Sequence, residues 1–461
     1  MSGLLGSLSI ALSALSVSQQ EMATTSNNVA NANTPGYSRE VSDTAASQPI
    51  TDGSISLGTG VVLDKIESLR DSILLIEIGQ STQQNSALNA SLTQLQQIQT
   101  QFASSTSGIG ADISNFFESL QQLAPDPTNL NLRQSVLDAA NALATDFNNA
   151  ATTLQTQSSN IDQTVVGTVT QVNSLTSQIA SIDQQISDVQ GATDGNGSGT
   201  LIDTRNNLIQ QLSTLIDVHV IPTGQGITLA TSNGTTLVSG TTSVALTTEL
   251  RGGVHDIFAG AQNITSSLTG GSLAGLIQVR DQDIPSIGSS LDQLAAGLAN
   301  GLNAANAQGF DLNGAAGGNI FTPPPASGVG AAATLAVSMT DPSLIAASSD
   351  GTSGSNGNLA VLSAVSTTDL GGGQTPIGTY ASLVSQVGSE TATTSADADS
   401  SSLILQQLQD QNGSVSGVSL NEEAANLIQY QTAYQSAAKV ISTINLLLLD
   451  AVNLGMDQAE E

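Results

Sequence analysis

Few residues in this sequence have the type and spacing to do chemistry. His219 and His255 are the two histidines, and the chain has no cysteine. No carboxylate stands at metal-ligand spacing from either ring, so a zinc site lacks its donor set and both rings read as structural. Asp311-Leu312-Asn313-Gly314 has the opening of a calcium loop, but its glycine arrives two positions early and no glutamate closes the loop, so it reads as a tight turn. The glycine-rich stretches lack phosphate-loop spacing and carry no lysine. No Ser–His–acid set can be assembled. The sequence therefore argues against an enzyme, and neither a metal nor another cofactor is expected.

One pairing does carry a structural message. Ser419 and Glu422 stand three apart, the spacing of a capping box, and so fix a helix start. Glu422 and Glu423 also suit the positive end of that helix. The helix they open has an apolar seam at Leu420, Ala424, Leu427, Gln431, Tyr434, Ala438, Ile441, Asn445, Leu448 and Val452. A matching seam runs near the start of the chain through Leu5, Leu8, Leu12, Leu15, Gln19, Met22, Ser26 and Val29. Alternating steps of three and four place each set on one side of a helix, which leaves that side in need of a partner. The two termini are expected to pack on each other, on copies of themselves, or both. Polar positions within a seam, Gln19, Ser26, Gln431 and Asn445, set register or partner choice at some expense of stability. Tyr430 and Tyr434 read as packing residues.

Composition narrows the class further. The chain has 461 residues, a formal net charge of −30, 10% charged and 2% aromatic residues, and no Trp. Length allows two to four domains. The charge argues against nucleic acid and against anionic membrane surfaces as partners. The hydrophobic share of 39% suits thin helical layers rather than a large aromatic core. Residues Gly3 to Val17 are apolar, but the first basic residue is Arg39 and serines interrupt the run, so no cleaved signal peptide is read here. No run reaches membrane-spanning length.

Along the chain, Ser2 can cap the first helix and Pro35-Gly36 ends it. Residues 40–62 read as an extended linker, with helix resuming near Val62. Pro125-Asp126-Pro127-Thr128 starts a long apolar-periodic run from Val136 to Val189 with Gly167 as its interior glycine. A continuous helix there is roughly 90 Å long at about 1.5 Å per residue. Shorter helices are expected at 69–104, 201–216 and 284–302, and short strands with an Asn233-Gly234 hairpin signal within 217–275. Residues 311–375 are rich in Gly, Ser, Ala and Pro and read as a loosely ordered loop or a shrunken insertion. The expected fold is mainly α: an elongated helical bundle with paired terminal coiled-coil helices and a small inserted β domain. Its parts are residues 1–62 with 401–461, residues 63–216 with 276–400, and the β insertion 217–275.

Two stretches around the seams are more specific. The first seam closes on Asn27-Asn28-Val29-Ala30-Asn31-Ala32-Asn33-Thr34-Pro35-Gly36-Tyr37-Ser38-Arg39, and the last opens on Ser419-Leu420-Asn421-Glu422-Glu423-Ala424-Ala425-Asn426-Leu427. These resemble the terminal signatures of bacterial flagellar axial proteins, the family of rod, hook and hook-associated proteins. Asn28, Asn31, Asn33, Thr34, Gly36, Tyr37, Glu422, Glu423 and Asn426 carry the likeness. Leu201-Ile202-Asp203-Thr204-Arg205-Asn206-Asn207-Leu208, Gly271-Ser272-Leu273-Ala274-Gly275-Leu276-Ile277 and Gly309-Phe310-Asp311-Leu312-Asn313-Gly314 resemble the members that join hook to filament.

The resemblance implies a structural subunit at the hook–filament junction, needed for filament assembly. It implies type III export without signal cleavage and an extracellular place on the flagellum. The terminal helices would line an inner tube and stay disordered until assembly. The partners implied are further copies in a ring, the hook protein, a second junction protein and an export chaperone. Leu5, Leu8, Leu12, Leu15, Met22, Val29, Leu420, Leu427, Tyr434, Ile441 and Leu448 would form the assembly interface. Some relatives carry a large further domain after the position of Phe321, where this chain has only its Gly/Pro-rich stretch. Two readings from outside this family are a secreted coiled-coil adhesin and an enzyme on a helical scaffold; within it, hook or distal rod protein is the alternative.

Overall fold

The structure, a computed structural model, describes residues 2–52, 55–102, 108–193, 198–223, 226–370 and 373–457, with backbone alone at 2, 51–52, 55–56, 191–193 and 454–457. The side chain expected to cap the first helix, Ser2, lies outside the described side chains. In chain order, helix α1 (Ser2–Asn31) is followed by strands β1 (Glu40–Ala46), β2 (Ile50–Asp52), β3 (Ile55–Leu57) and β4 (Val61–Ser68). Helices α2 (Ser72–Phe102), α3 (Ile109–Leu123), α4 (Leu130–Thr193) and α5 (Gly199–Leu215) come next. Then come β5 (His219–Thr223), β6 (Gly226–Ala230), β7 (Thr236–Ser239), β8 (Thr242–Ser243), β9 (Leu246–Arg251), β10 (Val254–Ala259) and β11 (Gln262–Asn263). The rest is helical: α6 (Gly271–Gln278), a π-helical turn (Val279–Asp283), α7 (Ile284–Asn306), short α8 (Ala331–Thr334) and α9 (Gly357–Ala364), α10 (Pro376–Ser416) and α11 (Leu420–Asp457). The mainly helical class with small β elements holds.

The chain forms two compact units, the first built from Met1–Gln83, Val172–Ala245 and Leu403–Glu461, the second from Gln84–Gln171 and Leu246–Ser402. The strands between 219 and 263 fall into two sheets, ordered β5-β6-β7-β8 in the first unit and β11-β10-β9 in the second. Each is a run of antiparallel hairpins turned by glycines at positive φ, such as Gly234 between β6 and β7 and Gly252-Gly253 between β9 and β10.

The run from Val136 to Val189 is one helix of 64 residues, and Val136, Leu143, Phe147, Ile161, Val165, Val172 and Ile179 are its buried stripe. Gly167 meets nothing within 4 Å where a Cβ would stand, so no close approach accounts for it. In the second unit Ile287, Leu291, Leu294, Leu298 and Leu302 of α7 and Phe116, Leu120 and Leu123 of α3 are all buried, and both helices pack on α9. Each such side chain contributes about 1.5–3 kcal/mol on burial.

Two expectations are corrected. Residues 40–62 are not a plain linker, and helix does not resume near Val62. β1 and β4 pair antiparallel from Glu40↔Ser68 to Ala46↔Val61, with a bulge after Asp43, and β2 pairs with β3 beyond them. Val61, Val62 and Ile66 are β-branched, which favours strand over helix. The described part of residues 311–375 is packed, not a loosely ordered loop. Ile320, Phe321, Leu335, Ile345, Leu359 and Leu362 are buried, and the Phe116 and Phe321 rings lie 6.2 Å apart.

Buried amides hold that segment on α7. The Asn303 Oδ1 accepts the backbone N–H groups of Ile320 and Phe321, both at 2.9 Å, and its Nδ2 donates to the Phe321 carbonyl at 2.9 Å. Asn306 likewise accepts from Ala346 N at 2.9 Å and donates to Gly318 O at 2.8 Å. The fully buried Arg133 guanidinium donates to Ile345 O at 2.6 Å. Side-chain amides thus supply the hydrogen bonds that a sheet ladder would otherwise provide.

Candidate functional site

The candidate site is built where the two ends of the chain meet. Helices α1 and α11 pack on each other within the first unit. The start of α11 meets the end of α1 through Asn28 and Glu423, so the pair is antiparallel. The arm formed by β1–β4 lies back along α1. The Ser42 hydroxyl donates to Thr24 Oγ1 at 3.1 Å, and Gly60 sits so close to Ser13 and Ile10 that a Cβ there would clash.

The predicted seams do not close on each other. The buried side of α1 is Ala11, Val17, Ser18, Thr24, Thr25 and Asn28, and that of α11 is Glu423, Ala437 and Ile444. Leu8, Leu15, Met22, Tyr434, Ile441 and Leu448 are partly buried, while Leu5, Leu12 (50%), Val29, Leu420 (53%) and Leu427 remain exposed. Small and polar residues line the contact because two helix backbones and a strand approach closely there. Leu5, Leu12, Leu420 and Leu427 are therefore left facing outward.

At the junction of helix ends a polar clasp replaces apolar packing. Asn28, 1% exposed, uses both ends of its amide. Its Nδ2 donates to Glu40 O at 2.8 Å and to Glu423 Oε2 at 3.1 Å, and its Oδ1 accepts from Glu40 N and the Tyr37 hydroxyl, both at 2.9 Å. The Arg39 Nε donates to Glu423 Oε1 at 2.7 Å, one Nη to Glu422 Oε2 at 2.9 Å, and the Arg39 backbone N–H to Ser416 O at 2.9 Å. Such charge-assisted, doubly anchored bonds fix geometry more than they add stability. Burial, followed by the Glu40, Asp203 and Glu423 carboxylates, holds the Tyr37 phenol well above its ordinary range, so it is a neutral donor.

The capping box is replaced by this clasp. The Ser419 backbone carbonyl accepts the Glu423 N–H at 2.9 Å as α11 begins, but the Glu422 carboxylate goes to Arg39.

Beyond the clasp, Asn31 Nδ2 donates to Asn27 O at 3.0 Å, Thr34 Oγ1 donates to Asn31 Oδ1 at 3.2 Å, and together they turn the chain out of α1. Gly36 has φ +78°, a conformation that favours glycine, and a Cβ there would lie 2.9 Å from Asn207 Nδ2, which would have to shift. Ser38 donates its backbone N–H and hydroxyl to Asp203 at 2.8 and 2.9 Å, and Arg70 Nε donates to the same carboxylate at 2.8 Å. Asn33 is exposed and Asn426 partly buried, and neither joins this network among the described hydrogen bonds. Arg39, Glu40, Ser38, Arg70 and Asp203 were not singled out from the sequence. Their signal was available: charge is scarce in this chain, and Ser38-Arg39 and Asp203 lie within the stretches that carried the resemblance.

The remaining candidates have structural roles. His255 Nδ1 lies 2.6 Å from Asp162 Oδ2, and its backbone N–H donates to Asp162 Oδ1 at 2.7 Å, where buried Arg280 also donates at 2.7 Å. Burial pushes the Asp162 carboxyl up, but the His255 bonds and Arg280 together hold it below its ordinary value. His219 Nε2 stands 3.2 Å from the Ser232 hydroxyl. Asp311 Oδ1 accepts Asn313 N at 2.8 Å and Ala315 N at 2.9 Å, with Gly314 at φ +76°, so the calcium-like loop is a tight turn. Among the described residues no group of three His or carboxylate side chains is placed to hold a metal, and no helix is long and apolar enough to cross a membrane.

Comparison with known proteins agrees with this arrangement. Residues 8–37 match the model of the flagella basal body rod protein, residues 95–321 that of the flagellar hook-associated protein FlgK helical domain, and residues 411–454 that of the flagellar basal body rod FlgEFG protein C-terminal region. Flagellar hook-associated protein 1 of Escherichia coli is 26% identical, covering 96% of this chain and 98% of that protein. The solved structure of the flagellar hook junction protein FlgK from Burkholderia pseudomallei shares the fold, with a TM-score of 0.67 at 18% identity, over 74% of this chain and 100% of that one. Flagellar hook-associated protein 1 of Bacillus subtilis is 30% identical over 97% of this chain and 98% of its own length; the chain belongs to the flagellar hook-associated protein 1 family.

Proposed function

We infer that this chain is a structural subunit of the bacterial flagellum that works where hook meets filament. The observation that carries the reading is the outward apolar stripe on a clasped helix pair: Leu5, Leu12, Leu420 and Leu427 are exposed although the helices that bear them are already paired. A stripe of this kind gains its burial when copies or other axial proteins of the flagellum pack beside it. Family membership supplies the context, and residues 1–62 with 401–461 are the part that assembles.

The immediate partners in this reading are copies of the chain in a ring, the hook protein below and a second junction protein above. An export chaperone covers the exposed stripe before assembly, and the chain leaves the cell by the flagellar type III route without signal cleavage. It binds no cofactor and catalyses no reaction.

Two experiments test this. A deletion strain is expected to form hooks, lack filaments and shed flagellin into the medium; missing hooks would remove the junction assignment. Limited proteolysis of purified monomer, read by mass spectrometry, is expected to trim both ends toward about residues 60 and 400 while the middle survives, because a helix pair that leaves its leucines exposed opens locally at less cost than the packed middle. Termini that resist cleavage in a true monomer would favour a self-contained adhesin.

A further inference from the structure

Basic residues are scarce and almost all are engaged. Five of the six arginines, and Lys65, form ion pairs, and Arg133 is buried against backbone carbonyls. Lys439 is the exception: it is exposed and makes no ion pair among the described residues. It lies seven residues before Leu446 and eleven after Ile428, about two and three turns, so the three share one face of α11. Ile428 is 66% and Leu446 68% exposed. At about 100° per residue this face points away from Ala437 and Ile444, the residues buried on the α1 side. Thr432, Gln435, Ser442 and Asp450 are exposed on the same face, so Ile428 and Leu446 form a mixed surface around the one cation, which has no ion pair among the described residues.

A surface of complementary character exists on the arm. Val41 and Val62 are exposed. Asp43 and Asp64 are exposed without an ion pair among the described residues, and they flank Lys65, which is held by Glu67 at 2.8 Å. The patch is apolar with an excess of carboxylate. The arm of the same chain lies along α1.

Resting on the assembly reading above, we propose that the outward face of α11 docks on the β1–β4 arm of a second copy, with Lys439 seated between its Asp43 and Asp64. The apolar residues would supply the burial and the charges would select the register, as opposite charges at an interface do.

The absence of cysteine permits a direct test. Full-length Lys439→Cys chain mixed with full-length Asp43→Cys chain under mild oxidation should yield disulfide-linked heterodimers in excess of either homodimer. In sedimentation at fixed ionic strength, Lys439→Glu should weaken self-association by about tenfold, and Asp43→Lys with Asp64→Lys should do the same, since like charges then face each other. Combining all three changes in one chain should restore association, with circular dichroism confirming that each monomer keeps its helices. Charge variants that associate as tightly as the parent, or a combined variant no tighter than its parts, would remove this contact while leaving assembly intact. A parent chain that never self-associates would remove the assembly reading and this contact with it.

Discussion

Replacing Asn28 with alanine tests the clasp at its centre. The amide makes bonds to Glu40 N, Glu40 O, Tyr37 Oη and Glu423 Oε2 at 2.8–3.1 Å. Truncation leaves those groups without that partner in a site where Asn28 and Glu423 are each 1% exposed. A buried polar group left unmet costs about 1–3 kcal/mol. Water can reach the Glu40 and Tyr37 side, so the low end applies there and the sum is about 3–4 kcal/mol. Tyr37→Phe removes one neutral bond, about 1 kcal/mol, because Asn28 Oδ1 keeps Glu40 N as donor. Urea unfolding of both variants, with hydrogen exchange of residues 28–40 and 419–430 followed in parallel, gives the comparison. The reasoning fails if Asn28→Ala costs under 1 kcal/mol, or if Tyr37→Phe costs as much as Asn28→Ala.

Other perturbations probe the second unit and the seam. Burial, followed by the neighbouring Glu390 carboxylate, pushes Asp283 up to about 6 from 3.8. A carboxyl raised in the folded state favours folding below its unfolded pKa and loses that advantage as pH rises through the folded value. The parent should therefore lose stability, on the order of 1–3 kcal/mol after solvent screening, between roughly pH 4 and 6 relative to Asp283→Asn; parallel stability curves would refute this. Asn303→Ala should cost about 2–4 kcal/mol by stranding Ile320 N, Phe321 N and Phe321 O, with exchange rising first around 318–321, and unchanged exchange there would contradict it. Leu12→Ser with Leu427→Ser should leave monomer stability within about 0.5 kcal/mol, since both are exposed, while abolishing filament growth on hooks in a complemented strain; normal filaments would count against the outward stripe.

Periodicity was the legible layer of this fold. The 64-residue helix, α5, α7 and the two terminal helices stand where their apolar spacing put them, because a helix stripe writes itself locally into sequence. The terminal seams were read as contact faces, yet Ala11, Val17, Thr24 and Ala437 do the packing. Close approach selects small residues, and small residues carry little signal in a hydropathy count. Residues 311–375 looked loose because their order comes from Asn303, Asn306, Asn358 and Arg133 reaching backbone groups far away in sequence. Amides that do this are indistinguishable, in a single sequence, from amides on a surface. The clasp was half legible: Asn28, Gly36, Tyr37 and Glu423 were singled out through resemblance, whereas Arg39 and Asp203 needed coordinates to reveal what they hold.

The clasp also constrains when the helix pair can exist. Asn28 and Glu423 are separated by 395 residues, which makes theirs among the most distant contacts a chain of this length can form. During synthesis at about 5–20 residues per second, α1 leaves the ribosome roughly 20–80 s before its partner has been made, given that separation. Throughout that interval the β1–β4 arm can cover part of the first helix, but the side that takes α11 has no internal competitor for whatever binds it. The sequence order of the two helices thus gives the N-terminal segment a timed window of availability, opened by translation and closed when α11 emerges.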